Sequence, residues 1–242
     1  MQMILKETMV LAGRGLRELF FPRKCVVCGK YLSMEEEDVC QACLEELPLT
    51  YQWDIVQNAA FERLARRFEV EAAAALFFFG SESPYRKILY GIKYGGRKKL
   101  AVRMGTLLGE QLARNAEFRR CDAVVPVPLH PLRRWKRGYN QAEEIARGVA
   151  QAMGLPLETR LLHRSRNTKT QTKLSGAAKA RNVQGAFRLN AQRAEQLHAE
   201  GITHLLLIDD VLTTGSTLAA SGAPLRTANF RVSCATLAFV PS

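Results

Sequence analysis

The chain has 242 residues, of which 47% are hydrophobic and 24% charged, a composition typical of a folded globular protein. Lysine and arginine outnumber aspartate and glutamate by 35 to 23, which gives a formal net charge of +12 and favours polyanionic partners. No segment has the length and apolar composition of a membrane span, so the sequence predicts none.

Residues 1–21 are predicted to form an amphipathic helix, because apolar residues recur at helical spacing from Ile4 to Phe20. Its apolar patch is too short for the core of a signal peptide. We therefore expect a cytoplasmic protein with reduced cysteines. Composition further suggests a cysteine module at 22–50, a connector at 51–71 and a larger domain at 72–242.

Four cysteines fall in two pairs with two-residue gaps, Cys25 with Cys28 and Cys40 with Cys43. This pattern meets the ligand count of a tetrahedral, structural zinc site. The alternatives are two disulfides, which a reduced compartment disfavours, or four free thiols. Cys121 and Cys234 stand alone beside predicted strands, and we expect them to be core residues.

Helical and strand patterns alternate along the rest of the chain. Helices are predicted at 59–67, 83–94, 98–115, 140–153, 191–199 and 216–227. Strands are predicted at 72–79, 122–128, 157–162, 187–189, 204–208 and 231–240, and residues 130–138 are read as a basic loop. Alternating strands and helices predict an α/β fold with a parallel, doubly wound sheet flanked by helices. Residues 163–183 are long, polar and basic, as a functional lid or a disordered segment would be.

The segment from Leu205 to Thr217 carries the most specific pattern. A hydrophobic strand leads into Asp209 and Asp210, and a hydroxyl-rich loop containing glycine then opens a helix. Backbone N–H groups and the dipole at a helix N-terminus bind anions, and glycine allows the loop to curve around one phosphate. The predicted phosphate-binding residues are Val211, Leu212, Thr213, Thr214, Gly215, Ser216 and Thr217.

The paired carboxylates would repel a phosphate at which they pointed. We therefore expect Asp209 and Asp210 to bind the hydroxyl groups of a ribose that carries the phosphate. The alternative is an ordinary capped helix with solvated aspartates. The combination of features favours a ribose-5-phosphate site at the carboxyl end of a strand, where open α/β sheets bind ligands. The glycine–lysine–hydroxyl pattern of a Walker loop is absent.

The run from Ile208 to Thr217 resembles the signature of type I phosphoribosyltransferases. Over nearly its whole length the chain resembles the ComF family of competence-associated proteins. The matching segments are the cysteine pairs, Lys93-Tyr94-x-Gly96, Val125 to Pro128, Arg133 to Gln141, Gln171-x-x-Leu174, Arg181 to Phe187 and the phosphate loop. In one respect the chain departs from the family pattern: many members carry a double zinc ribbon, whereas this chain has a single set of four cysteines.

The resemblance implies that the ligand is 5-phospho-α-ribosyl-1-pyrophosphate (PRPP) bound with Mg²⁺, and that Asp209 and Asp210 are the catalytic pair. It places Val127, Pro128, Arg133, Arg134 and Lys93 on the pyrophosphate side. The lid would close over the site and contribute Arg164, Gln171, Arg181 and Asn182.

Two functions follow from the resemblance. One is an accessory role in DNA uptake and natural transformation, in which the protein handles incoming single-stranded DNA beside a competence helicase and recombination mediator proteins. The other is an active phosphoribosyltransferase that transfers the phosphoribosyl group of PRPP to an unidentified acceptor and releases pyrophosphate. A PRPP sensor without turnover is a third. The sequence specifies neither a general base nor an oligomeric state.

Overall fold

The structure is a computed structural model that describes residues 22–80, 82–165 and 185–241. The helix predicted for residues 1–21 and most of the predicted lid lie outside these ranges. The strands are β1 (Ala73–Phe78), β2 (Ala123–Pro126), β3 (Leu162–Arg164), β4 (Phe187–Leu189), β5 (His204–Leu212) and β6 (Arg231–Phe239). The helices are α1 (Gln41–Glu45), α2 (Ala59–Ala65), α3 (Arg86–Tyr94), α4 (Lys98–Leu112), α5 (Ala116–Arg119), α6 (Pro131–Arg137), α7 (Gln141–Met153), α8 (Ala191–Ala199) and α9 (Ser216–Thr227).

Four strands form a parallel sheet in the order β1-β6-β5-β2, and β3 and β4 form a separate antiparallel pair. The two central strands are almost entirely buried, as expected for a parallel sheet covered on both faces. Side chains alternate along β5, so Leu206 and Ile208 face one core while Leu205 and Leu207 face the other. The predicted fold class, a parallel sheet flanked by helices, is confirmed.

Helices α3, α4 and α7 cover one face of the sheet, and α2, α8 and α9 cover the other. Helices α4 and α7 cross closely because each has a glycine at the contact. A Cβ atom on Gly105 would lie 2.1 Å from the Ile145 carbonyl oxygen, and one on Gly148 would lie 2.0 Å from that of Val102. This packing fixes the N-terminus of α7, where the Asn140 side chain accepts a hydrogen bond from the Ala142 N–H, as the sequence predicts.

Two sequence predictions were wrong in position or type. The predicted basic loop at 130–138 contains helix α6, which begins at Pro131, is capped by the His130 side chain and ends at Gly138 with φ of 81°. The strand predicted at 157–162 is displaced, since only Leu157 bridges β2 and the regular pairing occurs in β3. Cys121 and Cys234 are buried, as predicted.

Residues 22–50 form a small module that packs on the same core as α3 and α4. Three polar contacts attach it to these helices. Lys87 Nζ donates to the Val27 carbonyl at 2.8 Å, Arg97 pairs with Asp38 at 2.6 Å, and Arg103 donates to the Glu37 carbonyl. Within the described ranges, no helix combines the length and apolarity that crossing a bilayer requires.

Candidate functional site

The candidate site lies where β5 ends and α9 begins. Strand β5 continues beyond the predicted end at residue 208, so both Asp209 and Asp210 belong to it and are buried. The chain then turns through Thr213 and Thr214 into Gly215, which precedes α9 and has φ of 78°. The structure thus brings the predicted carboxylate pair and the predicted phosphate loop together at one end of a central strand.

The phosphate loop lines a small cleft at the N-terminus of α9. The lining residues are Asp209, Val211, Leu212, Thr213, Gly215, Ser216, Thr217 and Leu218. The Thr214 and Ser216 hydroxyl oxygens lie 2.8 Å apart. Since the first N–H groups of a helix have no partner within it, the amides and hydroxyls of this loop form a donor-rich site for an anion.

Helix α2 supports this loop from outside the site, which sequence reasoning missed. The Arg63 guanidinium donates to the carbonyl oxygens of Thr213 and Val240, each at 2.6 Å, and lies 4.2 Å from the centre of the Phe239 ring. A Cβ atom on Gly215 would lie 2.9 Å from Leu64 Cδ2. Helix α2 therefore fixes both the position of the loop and its need for glycine. The only sequence signal was a group of arginines in the connector.

The two carboxylates differ in their surroundings. Lys93 Nζ, at the end of α3, lies 3.1 Å from Asp210 Oδ2. Burial lowers the pKa of Lys93, but the charge of Asp210, its hydrogen bond and the charge of Asp209 together outweigh burial, so the net pKa of Lys93 is raised. Asp209 Oδ1 accepts the N–H of Asp210 at 2.9 Å. Burial, reinforced by the negative charge of Asp210, raises the pKa of Asp209 to about 7.

Cationic groups surround the carboxylates. Burial lowers the pKa of Arg164, the charge of Arg133 lowers it further, and that of Asp209 raises it. Burial and the charge of Arg137 likewise lower the pKa of Arg133. Arg164 of β3 is thus within electrostatic range of Asp209 and of Arg133, which lies on α6. The mouth of the site therefore carries an excess of positive charge, suited to a polyanion.

The loop after β2 forms the adjacent wall. Val127 is buried and its N–H donates to the Ile208 carbonyl at 2.8 Å, so the loop lies beside the carboxylates. Pro128 and Arg164 line a cavity of about 210 Å³ next to this loop. Arg134 also lines that cavity, but it pairs with Glu143 at 3.4 Å, which neutralises the charge predicted for the pyrophosphate side.

Of the predicted lid at 163–183, only residues 163–165 lie in the described part of the chain. Arg164 lies in β3, which pairs with β4, so the two ends of the segment are held together beside the site. Gln171, Arg181 and Asn182 lie outside the described residues.

The four clustered cysteines meet in the N-terminal module. The Sγ atoms of Cys25, Cys28, Cys40 and Cys43 all lie within 4.8 Å of one another, and all are free thiols. Burial raises the pKa of Cys25, but hydrogen bonds from backbone N–H groups outweigh this and lower it to about 6. Four sulfur ligands around one point fit a closed tetrahedral zinc shell, so the module supports a structural zinc.

Comparisons with known proteins identify the family. A family model described as a double zinc ribbon domain matches residues 16–53. Competence protein F of Haemophilus influenzae is 34% identical over 199 residues, which cover 80% of this chain and 74% of that protein. The chain belongs to the ComF family. Within the ComF family, the protein named DNA utilization protein YhgH is 32% identical in Salmonella typhimurium and 31% in Escherichia coli, each over 139 residues. The alignment covers 58% of either YhgH protein and 56% of this chain.

Two solved structures are also similar in part. A glutamine PRPP amidotransferase from B. subtilis, complexed with ADP and GMP, is 21% identical, with 56% of this chain and 26% of that chain covered and a TM-score of 0.35. A structure described as the allosteric regulatory enzyme of purine biosynthesis is 19% identical over the same shares, with a TM-score of 0.32. TM-scores this low do not identify the ligand of this ComF protein.

Proposed function

We propose that this protein is a phosphoribosyltransferase-like PRPP-binding protein that acts in DNA uptake, where it handles incoming single-stranded DNA. One observation carries the ligand assignment: two buried carboxylates, Asp209 and Asp210, stand beside a donor-rich helix N-terminus at the end of the same strand. A ribose 5-phosphate fits both parts of this site, because its phosphate accepts hydrogen bonds from the helix N-terminus and its hydroxyls donate hydrogen bonds to the carboxylates.

In this proposal the loop from Thr213 to Thr217 holds the 5′-phosphate, and the carboxylates hold the ribose hydroxyls. The cations at the mouth, Lys93, Arg133 and Arg164, balance the pyrophosphate beside the loop of Val127 and Pro128. Lys93 and Arg164 lie beside the carboxylates and Arg133 lies near Arg164, which supports this assignment. Mg²⁺ bound with PRPP would neutralise pyrophosphate charge, and Asp209 and Asp210 offer the oxygen ligands, direct or through water, that it prefers.

The DNA role is supported by family membership and by the net charge of +12. The names of the relatives refer to competence and to DNA utilization, and we extend these functions to this chain as a proposal. A competence helicase and recombination mediator proteins are the proposed partners, in the cytoplasm. The proposed domains are the predicted helix at 1–21, the zinc module at 22–50, a connector at 51–71 and the ligand-binding domain at 72–242.

Titration calorimetry with PRPP in the presence and absence of Mg²⁺ tests the ligand assignment. We expect saturable binding of one PRPP per chain, strengthened by Mg²⁺, and weaker binding of ribose 5-phosphate and phosphate in that order. Equal affinity for PRPP and inorganic phosphate would reduce the site to an anion-binding loop and contradict the proposal.

A second candidate function is an active phosphoribosyltransferase. It is favoured by the cations around the carboxylates, since stabilising a departing pyrophosphate requires charge on that side. The test is pyrophosphate release from PRPP with a panel of bases, amines and single-stranded DNA. Binding without release under any acceptor would instead favour a sensor of PRPP.

A further inference from the structure

Two tyrosines at the end of α3 are unusually exposed. Tyr90 is 56% exposed and Tyr94 is 72% exposed, although large aromatic side chains are mostly covered in folded proteins. Their ring centres lie 5.9 Å apart with the planes inclined at 41°. An exposed aromatic pair on a basic protein is typical of a binding surface.

Arginines of α6 adjoin this pair. The Arg137 guanidinium carbon lies 5.5 Å from the centre of the Tyr94 ring, and Arg133 is within electrostatic range of both. Arg133 and Arg137 are four residues apart on α6 and so share one side of it. Trp135 is 83% exposed, more than any other aromatic residue in the described ranges. It falls between the two arginines in sequence and therefore lies on another side of α6.

The tyrosine face, defined as Tyr90, Tyr94, Arg133 and Arg137, borders the carboxylate site. Lys93 precedes Tyr94 in α3 and reaches Asp210, so one helix end contributes to both surfaces. Arg133 is within electrostatic range of Arg164, beside the carboxylate site, and of Tyr94 on the tyrosine face. It therefore lies between the two surfaces.

We propose that the tyrosine face binds single-stranded nucleic acid, with bases stacked on Tyr90 and Tyr94 and phosphates held by Arg137 and Arg133. Stacking on exposed rings combined with cationic side chains is the physical basis of binding to single strands without sequence preference. In a duplex the base faces are covered, and an acidic peptide gains nothing from stacking. This inference rests on the DNA-handling part of the proposed function and adds where and how the strand binds.

The test is fluorescence anisotropy with a labelled oligo-dT and the full, zinc-loaded chain. We expect Tyr94→Ala and Tyr90→Ala each to weaken binding about tenfold, the scale of one lost stacking contact. Tyr94→Phe, which keeps the ring, should bind within about twofold of wild type. Arg137→Gln should lower the salt dependence of binding by about one unit, whereas Tyr94→Ala should leave it unchanged.

Tyr31 supplies a matched control on the zinc module. It is 65% exposed and has the Lys24 ammonium 5.0 Å from its ring centre, so it pairs an aromatic ring with a cation as Tyr94 does. Tyr31→Ala should leave oligo-dT affinity unchanged. If Tyr31→Ala lost as much oligo-dT affinity as Tyr94→Ala, the proposed stacking surface would be wrong. It would also be wrong if wild type bound duplex DNA as tightly as oligo-dT and Tyr94→Ala weakened both equally.

The failure of this inference is separable from the failure of the proposed function. If wild type binds oligo-dT and both tyrosine-to-alanine variants bind as tightly, the tyrosine face is wrong while DNA binding stands. If polyglutamate displaced the labelled oligo-dT as effectively as unlabelled oligo-dT does, the result would favour an acidic protein partner and contradict the proposed binding of single strands. If wild type does not bind oligo-dT, the tyrosine face and the DNA part of the proposed function are both wrong. Titration of the same sample with PRPP then tests the ligand assignment separately.

Discussion

Lys93 Nζ lies 3.1 Å from Asp210 Oδ2, and this ion pair distinguishes two adjacent carboxylates of one strand. Asp210 has the Lys93 ammonium at contact distance. Asp209 has the N–H of Asp210 as its hydrogen-bond partner, and burial raises its pKa to about 7. A cation that arrives beside the pair would favour the charged form of Asp209.

Replacing either carboxylate should separate ribose binding from phosphate binding. We expect Asp209→Asn and Asp210→Asn each to weaken PRPP binding by roughly 1.5–3 kcal/mol, the scale of a charge-assisted hydrogen bond. Inorganic phosphate should bind as in wild type, because its donors in the loop are untouched. Calorimetry with both ligands measures the two effects.

Asp54→Asn is the matched control, since this exposed aspartate lies in the turn Gln52–Asp54 at a separate part of the chain. Parallel losses of PRPP and phosphate binding in the Asp209 and Asp210 variants would mean that the loop itself had collapsed. Unchanged PRPP affinity in both would contradict the ribose assignment.

The pKa of Asp209 predicts a pH dependence of stability. A carboxyl group whose pKa is about 7 in the folded state, against 3.8 ordinarily, binds its proton more tightly when folded. Its stabilising contribution is present at low pH and is lost as pH rises through 7. The free energy of unfolding should therefore fall from pH 6 to pH 8 more in wild type than in Asp209→Asn. Urea denaturation at both pH values measures this, and equal slopes in the two proteins would contradict it.

Gly215 should not tolerate a side chain. Its φ of 78° is strained for other residues, and an added Cβ would lie 2.9 Å from Leu64 Cδ2. We expect Gly215→Ala to cost about 1–3 kcal/mol of stability and to weaken phosphate binding. Gly80→Ala is the control, because nothing lies within 4 Å of its added Cβ, and should change stability by less than about 0.5 kcal/mol. Equal effects in the two variants would count against the loop geometry.

Arg63 should position the phosphate loop without touching the ligand. Arg63→Met keeps the length of the side chain but removes the hydrogen bonds to the Thr213 and Val240 carbonyls. We expect a loss of about 1–3 kcal/mol in stability and a severalfold weaker affinity for phosphate. Arg66→Met, three residues further along the chain at a side chain that is 80% exposed, should change neither. If phosphate affinity were the same in both variants, the supporting role of Arg63 would be wrong.

The zinc module should bind one metal ion per chain. Cys25→Ser and Cys40→Ser are expected to lose the zinc and the local order of residues 22–50, because metal binding supplies much of the folding free energy of such modules. Cys121→Ala, at a buried cysteine outside the cluster, should retain it. Metal analysis and hydrogen exchange give the readouts. Absence of zinc from the wild-type protein, or disulfides among these cysteines, would refute the assignment.

Much of the site could be predicted because its signals are local. The hydrophobic run of β5, the adjacent carboxylates and the glycine before α9 are contiguous in sequence, and each reflects a backbone requirement at its own position. The same holds for Asn140, whose side chain caps α7 from the neighbouring residue. The two cysteine pairs show ligand number and spacing directly.

The remaining features depend on distant contacts or on a misread charge pattern. Arg63 and Thr213 are brought together only by the packing of α2 against the end of β5, and no local pattern marks such a pair. Lys93 meets Asp210 in the same way. The prolines and basic residues that follow β2 predict a loop where the structure has helix α6, although Pro131 at its start and Gly138 at its end are helix boundary signals.

The place of β6 in the sheet has a consequence for synthesis of the protein. Strand β1 comes first in the chain, yet it joins the sheet through β6, the last of the six strands. The apolar side chains of β1 therefore stay unpaired until the segments between β1 and β6 have emerged from the ribosome. Long-range parallel pairing of this kind is slow, and unpaired strands are prone to aggregation. The cysteine module, made of local contacts, can form first. A nascent chain of this protein is therefore expected to depend on chaperone protection until β6 is released.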